Sequence, residues 1–265
     1  MSKQVRDSPG CECLRRAYQE VAAGEPKSWD QVADGFLAAM EEFDARVSAG
    51  MASEGDRQNG KGDFFNDLLA LLLENCAGVE LWSRGKVPGL MVPENSLDVT
   101  FPARGRIDFV LEAKAVGTPK HPGSTAAKPF GRPGSADLGK RIKEIGFKTI
   151  DLKAEHARRT AAIGEDTTPI GGDLTAWLRS TLPKSYVFIA ARVVNDNDLK
   201  QVVKHAGYAE QYSTGVGLFA FHAARGGTLG KYRPAEVPPG MEISRVLHRA
   251  CEELKAIKAS RANDL

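Results

Sequence analysis

The chain has 265 residues, of which 42% are hydrophobic and 26% charged, with a formal net charge of +2. This is the profile of a soluble globular protein long enough to bury its own core without disulfide or metal staples. No run of eighteen apolar residues is present, which excludes a hydrophobic membrane-spanning helix, and the polar start Met1–Asp7 does not read as a secretory signal.

Residues 11–23 read as a short helix carrying Cys11 and Cys13. A Cys-x-Cys spacing is too tight for a usual zinc half-site. With Cys76 and Cys251 elsewhere, the four read as unpaired thiols in a reducing cytoplasm. Ser28-Trp29-Asp30-Gln31 has the form of a capping box opening a second helix. On it Val32, Phe36, Leu37, Met40, Phe43 and Val47 recur at helical spacing. Residues 49–62 are small and polar and read as a flexible loop. A third helix is predicted over Asp63 to Cys76, apolar on most sides and therefore buried.

Strand-like runs follow at Val79 to Trp82, Leu97 to Phe101 and Arg106 to Ala115. Pro102-Ala103-Arg104-Gly105 is a good turn, so the last two runs form a hairpin. Residues 117–139, rich in Gly, Pro, Ser and Ala, are expected to be a long loop. A basic helix is predicted over Lys140 to Ala162, then a strand over Tyr186 to Val194 and a helix over Asp198 to Tyr212. Another strand spans Val216 to Phe221. Ile243, Val246, Leu247, Ala250, Leu254 and Ile257 mark a final amphipathic helix. This order predicts an α/β fold, a mixed central sheet flanked by helices, with an N-terminal helical part. The expected division is an N-terminal helical region over 1–60 and the main domain over 61–265.

The chemistry concentrates in Arg106-Ile107-Asp108-Phe109-Val110-Leu111-Glu112-Ala113-Lys114. Strand alternation puts Asp108, Val110, Glu112 and Lys114 on one face. Charges on an inward-leading face are costly unless they pair or bind metal. A carboxylate one pleat from an ammonium can hold Mg²⁺ while the ammonium steadies an attacking water or the charge developing on phosphorus. A second carboxylate is needed. Asp108 is four residues from Glu112, roughly 13 Å along a strand. Asp98 is better placed: a turn centred near Ala103 to Gly105 sets it across from about Val110, beside Glu112. Cross-strand neighbours are roughly 5 Å apart, or about 7 Å on the diagonal. Asp98 therefore ranks above Asp108 as the second metal ligand.

Asp98, thirteen intervening residues, and Glu112-Ala113-Lys114 on a predicted hairpin resemble the motif of the PD-(D/E)XK nuclease superfamily, which includes many type II restriction endonucleases. The resemblance covers roughly residues 61 to 222. Leu97 precedes Asp98 and Ile107 precedes Asp108, so the motif's proline is absent. The resemblance implies a restriction-endonuclease-like core, Mg²⁺ as cofactor, catalysis by Asp98 or Asp108 with Glu112 and Lys114, and a further acid from the preceding helix, for which Glu74 is the candidate. Asp67 and Asn66 on that helix read more simply as solvent-facing polar residues.

From Arg104 to Arg159 there are thirteen Lys and Arg against six Asp and Glu, so this stretch carries +7 while the whole chain carries +2. Such a patch attracts a phosphate backbone. Lys120, His121, Lys128, Arg132, Lys140, Arg141, Lys143 and Lys148 are the candidate DNA contacts. The expected function is a site-specific, Mg²⁺-dependent endonuclease of double-stranded DNA, a type II restriction enzyme. It is expected to be cytoplasmic and a homodimer with no membrane association, since two-fold assembly suits cutting both strands of a symmetric site. The alternatives are a repair or recombination nuclease of the same fold and a DNA-binding protein that does not cut.

Overall fold

The computed structural model describes residues 11–102, 106–123, 131–160, 174–222 and 232–263. These form seven α-helices and one six-stranded mixed sheet. In chain order the elements are α1 (Glu12–Ala23), α2 (Ala33–Ser48), α3 (Lys61–Ala77), β1 (Trp82–Val87), β2 (Asn95–Phe101) and β3 (Phe109–Val116). There follow α4 (Leu138–Thr160), α5 (Leu174–Ser180), β4 (Lys184–Val193), α6 (Asp196–Ala209), β5 (Gly215–His222), β6 (Arg233–Pro234) and α7 (Ile243–Asn263).

The strands lie in the order β1-β2-β3-β4-β5-β6. The β1–β2, β2–β3 and β5–β6 pairs are antiparallel, while β3–β4 and β4–β5 are parallel. Parallel neighbours require crossovers, and α4 and α6 lie on those crossovers. Side chains alternate across the sheet. Phe109, Leu111, Ala113, Tyr186, Phe188, Ala190, Phe219 and Phe221 face a large core shared with α1, α2, α3 and α7. Val187, Ile189, Ala191, Val193, Val216, Leu218 and Ala220 face α4 and α6. A smaller cluster of Leu97, Val110 and Leu152 lies between β2, β3 and α4. The α/β class with a mixed sheet flanked by helices is thus present, and α1 and α2 share the large core with the sheet.

Several local expectations are corrected. The loop expected over 49–62 is largely helical. Ser53 Oγ accepts from Asp56 N and donates to Asp56 Oδ2, at the start of a π-helical turn, Asp56–Gly60, running into α3. The capping box is half formed. Ser28 N and Oγ donate to Gln31 Oε1, but α2 begins only at Ala33, without a side-chain cap. The first strand is Trp82–Val87, not Val79 to Trp82. Gly78 in the left-handed region closes α3, and Leu81 N donates to Glu74 Oε1, so pairing starts at Trp82↔Thr100. As an edge strand of mostly polar residues, β1 has little apolar signature. The cysteines are not all unpaired: Cys76 of α3 and Cys251 of α7 form a disulfide. The turn residues 103–105 lie outside the described residues.

The segment after β3 is pinned at both ends. Thr118 and Arg132 exchange backbone hydrogen bonds. Asp198, near the start of α6, accepts from the amides of Gly134 and Ser135. Gly117 has φ +87°, and a Cβ there would lie 2.5 Å from the Arg192 carbonyl oxygen, so only glycine lets the chain leave β3 at this point.

Candidate active site

Asp98, Glu112, Lys114 and Lys148 meet on the α4 side of the sheet, where β2 and β3 part. The β2–β3 ladder runs Phe101↔Phe109, Thr100↔Val110 and Val99↔Leu111. Thr100, rather than Asp98, is therefore the partner of Val110. Continuing this register by one residue faces Asp98 with Glu112. The ladder ends there, and Asp98 Oδ2 accepts the Ala113 N–H at 2.8 Å. On the other side of β2 the pairs are Ser83↔Val99 and Gly85↔Leu97. Arg84 between them has φ 55°, the left-handed region uncommon for non-glycine residues. Its guanidinium reaches Asp63 at 2.5 Å and Asp67 at 3.6 Å on α3.

One ammonium joins the two acids. Lys114 Nζ donates to Asp98 Oδ2 at 2.7 Å and to Glu112 Oε2 at 3.0 Å. Lys148 of α4 approaches from across the cleft, donating to the Ser96 carbonyl at 2.7 Å and to Glu112 Oε1 at 3.3 Å. Glu112 is 1% exposed, whereas the Asp98 and Lys114 side chains retain 29% and 21% of their exposure. The cluster is therefore sealed at Glu112 and open at Asp98.

Burial pushes the Glu112 carboxyl above the ordinary range. The Asp98 charge adds to this, while Lys114 and Lys148 pull it back without cancelling it. Burial alone would lower Lys114, but Glu112 and Asp98 outweigh it and hold the ammonium above its usual value. Lys114 thus stays charged at any neutral pH.

The donor set fits a hard divalent cation. Mg²⁺ binds through one or two carboxylates and completes its octahedron with water and substrate phosphate oxygens. Asp98 and Glu112, both within 3.0 Å of a single ammonium nitrogen, supply that pair. Among the described residues no three His, Cys, Asp or Glu side chains converge on one point, so the protein's share of the coordination sphere would be those two acids.

Asp108 does not join them. It precedes β3 and is 2% exposed, with its carboxylate held by Arg261, by Arg106 at 3.2 Å and by His156 at 3.7 Å. Burial opposes ionisation there, but the His156 and Arg261 contacts hold the carboxyl below its usual range. It is an ion-paired anchor for the last helix. Glu74 is likewise not brought to the cluster by the Leu81 N–H contact it makes. Asp67 and Asn66 are buried at 4% each, rather than solvent-facing, and contact each other at 3.4 Å.

The basic residues divide into groups. Lys120 is exposed on the segment after β3, and His121 Nδ1 contacts the Pro122 carbonyl oxygen at 2.8 Å. Arg132 pairs with Asp137. Lys140 and Arg141 share Glu144 at 3.9 and 3.0 Å, and Lys143 is exposed on the same helix. Lys128 lies outside the described residues. Among the described residues of this set, Lys148 alone reaches the acidic pair. Sequence reasoning placed it on the basic helix but assigned it only to phosphate. Its spacing from Glu112 carries no local signal, because α4 is apposed to β3 only in the folded chain. No helix among the described residues is long and apolar enough to cross a membrane.

Comparison with protein family models, with curated proteins and with solved structures finds no match.

Proposed function

We propose that the chain is a Mg²⁺-dependent nuclease that hydrolyses phosphodiester bonds of double-stranded DNA. The observation that carries this reading is the single ammonium of Lys114 bridging carboxylates on adjacent strands, at 2.7 Å to Asp98 and 3.0 Å to Glu112. Asp98 and Glu112 would hold the cation. A bound Mg²⁺ would neutralise phosphate charge and acidify water. The chain's own residues supply the rest. Asp98 is oriented by the Ala113 amide, which donates to the same oxygen as Lys114. Lys114 keeps a fixed positive charge beside the scissile group, where it orients a water for in-line attack and stabilises the negative charge that develops on the phosphoryl oxygens. Lys148 holds Glu112 from the opposite side and lowers the cost of its ionisation.

The sequence resemblance to the PD-(D/E)XK superfamily supports a restriction-endonuclease-like core, and the type II, site-specific, homodimeric and cytoplasmic reading extends from it. Lys120, Arg132, Lys140, Arg141 and Lys143 would contact phosphates. A plasmid digest with and without Mg²⁺ tests the proposal. Discrete fragments that require Mg²⁺ support site-specific cleavage, and smears or preferential cutting of branched DNA support a repair nuclease. No cutting with a retained gel shift would reject nuclease activity in favour of a binding protein.

A further inference from the structure

Cys11 and Cys13 take no part in the site at Asp98 and Glu112. Cys11 is the residue at the start of α1 and Cys13 lies in its first turn. Their sulfur atoms are 2.9 Å apart, and each residue is only 2% exposed. Neither is bonded to another cysteine, because Cys76 and Cys251 pair with each other. A spacing too tight for a zinc half-site is thus a close-contact dithiol.

The contact polarises the pair. The Cys13 thiol pulls the Cys11 thiol down to about 6 against the effect of burial, with the Leu14 and Cys13 amides at the helix start acting in the same direction and Asp56 opposing. The same contact, together with burial, pushes Cys13 up. The direction of the two shifts favours the thiolate at Cys11 and the protonated thiol at Cys13, the order of an attacking sulfur and its resolving partner.

We propose that Cys11 and Cys13 are a redox-active dithiol whose oxidising substrate is hydrogen peroxide. The Cys11 thiolate attacks one peroxide oxygen, the O–O bond breaks, and the departing hydroxide takes a proton to become water. Cys11 is then a sulfenic acid. Cys13 gives up its proton and attacks the Cys11 sulfur, the S–O bond breaks, and a second water leaves as the S–S bond forms. Two thiols lose two electrons and one peroxide gains them. An external dithiol reverses the change by exchange. Closing the bond moves the sulfurs from 2.9 Å to about 2.05 Å. A small oxidant suits a site with 2% exposure.

The test is independent of any DNA cleavage. The full chain is treated with hydrogen peroxide, quenched, denatured and alkylated, and its peptides are mapped by mass spectrometry. The expected result is an unalkylated peptide spanning Cys11 and Cys13 that has lost two hydrogens, with both thiols restored by dithiothreitol. In Cys13→Ser the resolving thiol is gone, and Cys11 should accumulate as a sulfenic acid trapped by dimedone. Full alkylation of both thiols in the treated wild-type protein would overturn the proposal. So would direct conversion of Cys11 to a sulfinic acid with no disulfide.

Discussion

Lys114 Nζ lies 2.7 Å from Asp98 Oδ2, and that same oxygen accepts the Ala113 N–H. One atom of Asp98 therefore holds both the Lys114 ammonium and the backbone between Lys114 and Glu112. Under the proposed nuclease reading, charge and position are coupled at this oxygen. Asp98→Asn, Glu112→Gln and Lys114→Ala are each expected to lower cleavage by roughly 10²–10³-fold or more, the scale for losing one preorganised electrostatic group. DNA binding measured by gel shift should stay near wild type. Full activity in any of the three removes the assignment.

Asp108→Asn should behave differently. Asp108 holds Arg261, Arg106 and His156 rather than the acidic pair. The carboxylate is buried, but Arg261 and Arg106 are 34% and 50% exposed and are rehydrated when it is lost, so a loss smaller than the roughly 3–5 kcal/mol of a fully buried pair, read as a lowered melting temperature with near-normal activity of the folded fraction, is expected. A catalytic loss without a stability loss would restore Asp108 as a ligand.

In the proposed reaction Lys148 acts through Glu112, which it contacts at 3.3 Å. Its ammonium favours the charged form of a carboxylate that burial has pushed up. Lys148→Met should push Glu112 higher still, so the acid limb of the pH–rate profile moves to higher pH. A profile of unchanged shape, merely scaled down, would mean Lys148 does not tune Glu112.

Glu112 itself should cost stability. A carboxyl raised in the folded state binds its proton more tightly there than in the unfolded chain. That favours folding below the unfolded value, and the benefit is lost as pH rises through the folded value. Glu112→Gln is therefore expected to melt higher than wild type at pH above the folded value, with the gap narrowing as pH falls through it. Thermal unfolding across that range measures it, and a variant less stable above the folded value contradicts it.

Lys153 offers a second pH signature. It is fully buried and donates to the Thr181 and Pro183 carbonyls at 2.8 Å each. Burial, with Lys184 nearby, lowers it to about 7. Between that value and about 10.4 the unfolded chain binds the proton and the folded chain does not, so stability rises with pH across this window and is lowest below it. The rise is on the order of a few kcal/mol. Lys153→Met should flatten it. A slope unchanged in the variant would show that Lys153 does not titrate there.

Much of the candidate site was legible. Alternation along Phe109–Val116 put Glu112 and Lys114 on one face, and a hairpin argument ranked Asp98 above Asp108 as the partner. The register was misjudged by two residues: the ladder starts at Phe101↔Phe109, which puts Thr100 and not Asp98 across from Val110. No local pattern fixes where that first pair falls. The helices rich in periodic apolar residues, α2, α3 and α7, were found, while β1 was displaced toward Val79 because its own residues are mostly polar. α5 and β6 were missed because they are too short to carry a period.

By itself the sequence determined the α/β order of elements, the pairing of an acid with a lysine one pleat apart, and the concentration of basic charge after residue 104. Each of these depends on neighbours within a few residues, where side-chain period and composition act directly. The tertiary structure alone decided that Lys148 meets Glu112, that Asp108 is taken by Arg261 across 153 positions, and that Cys76 finds Cys251 across 175. Those contacts arise when the two faces of the sheet are covered by helices from distant parts of the chain. Burial then makes each of those charges and thiols take whichever partner packing brings within reach.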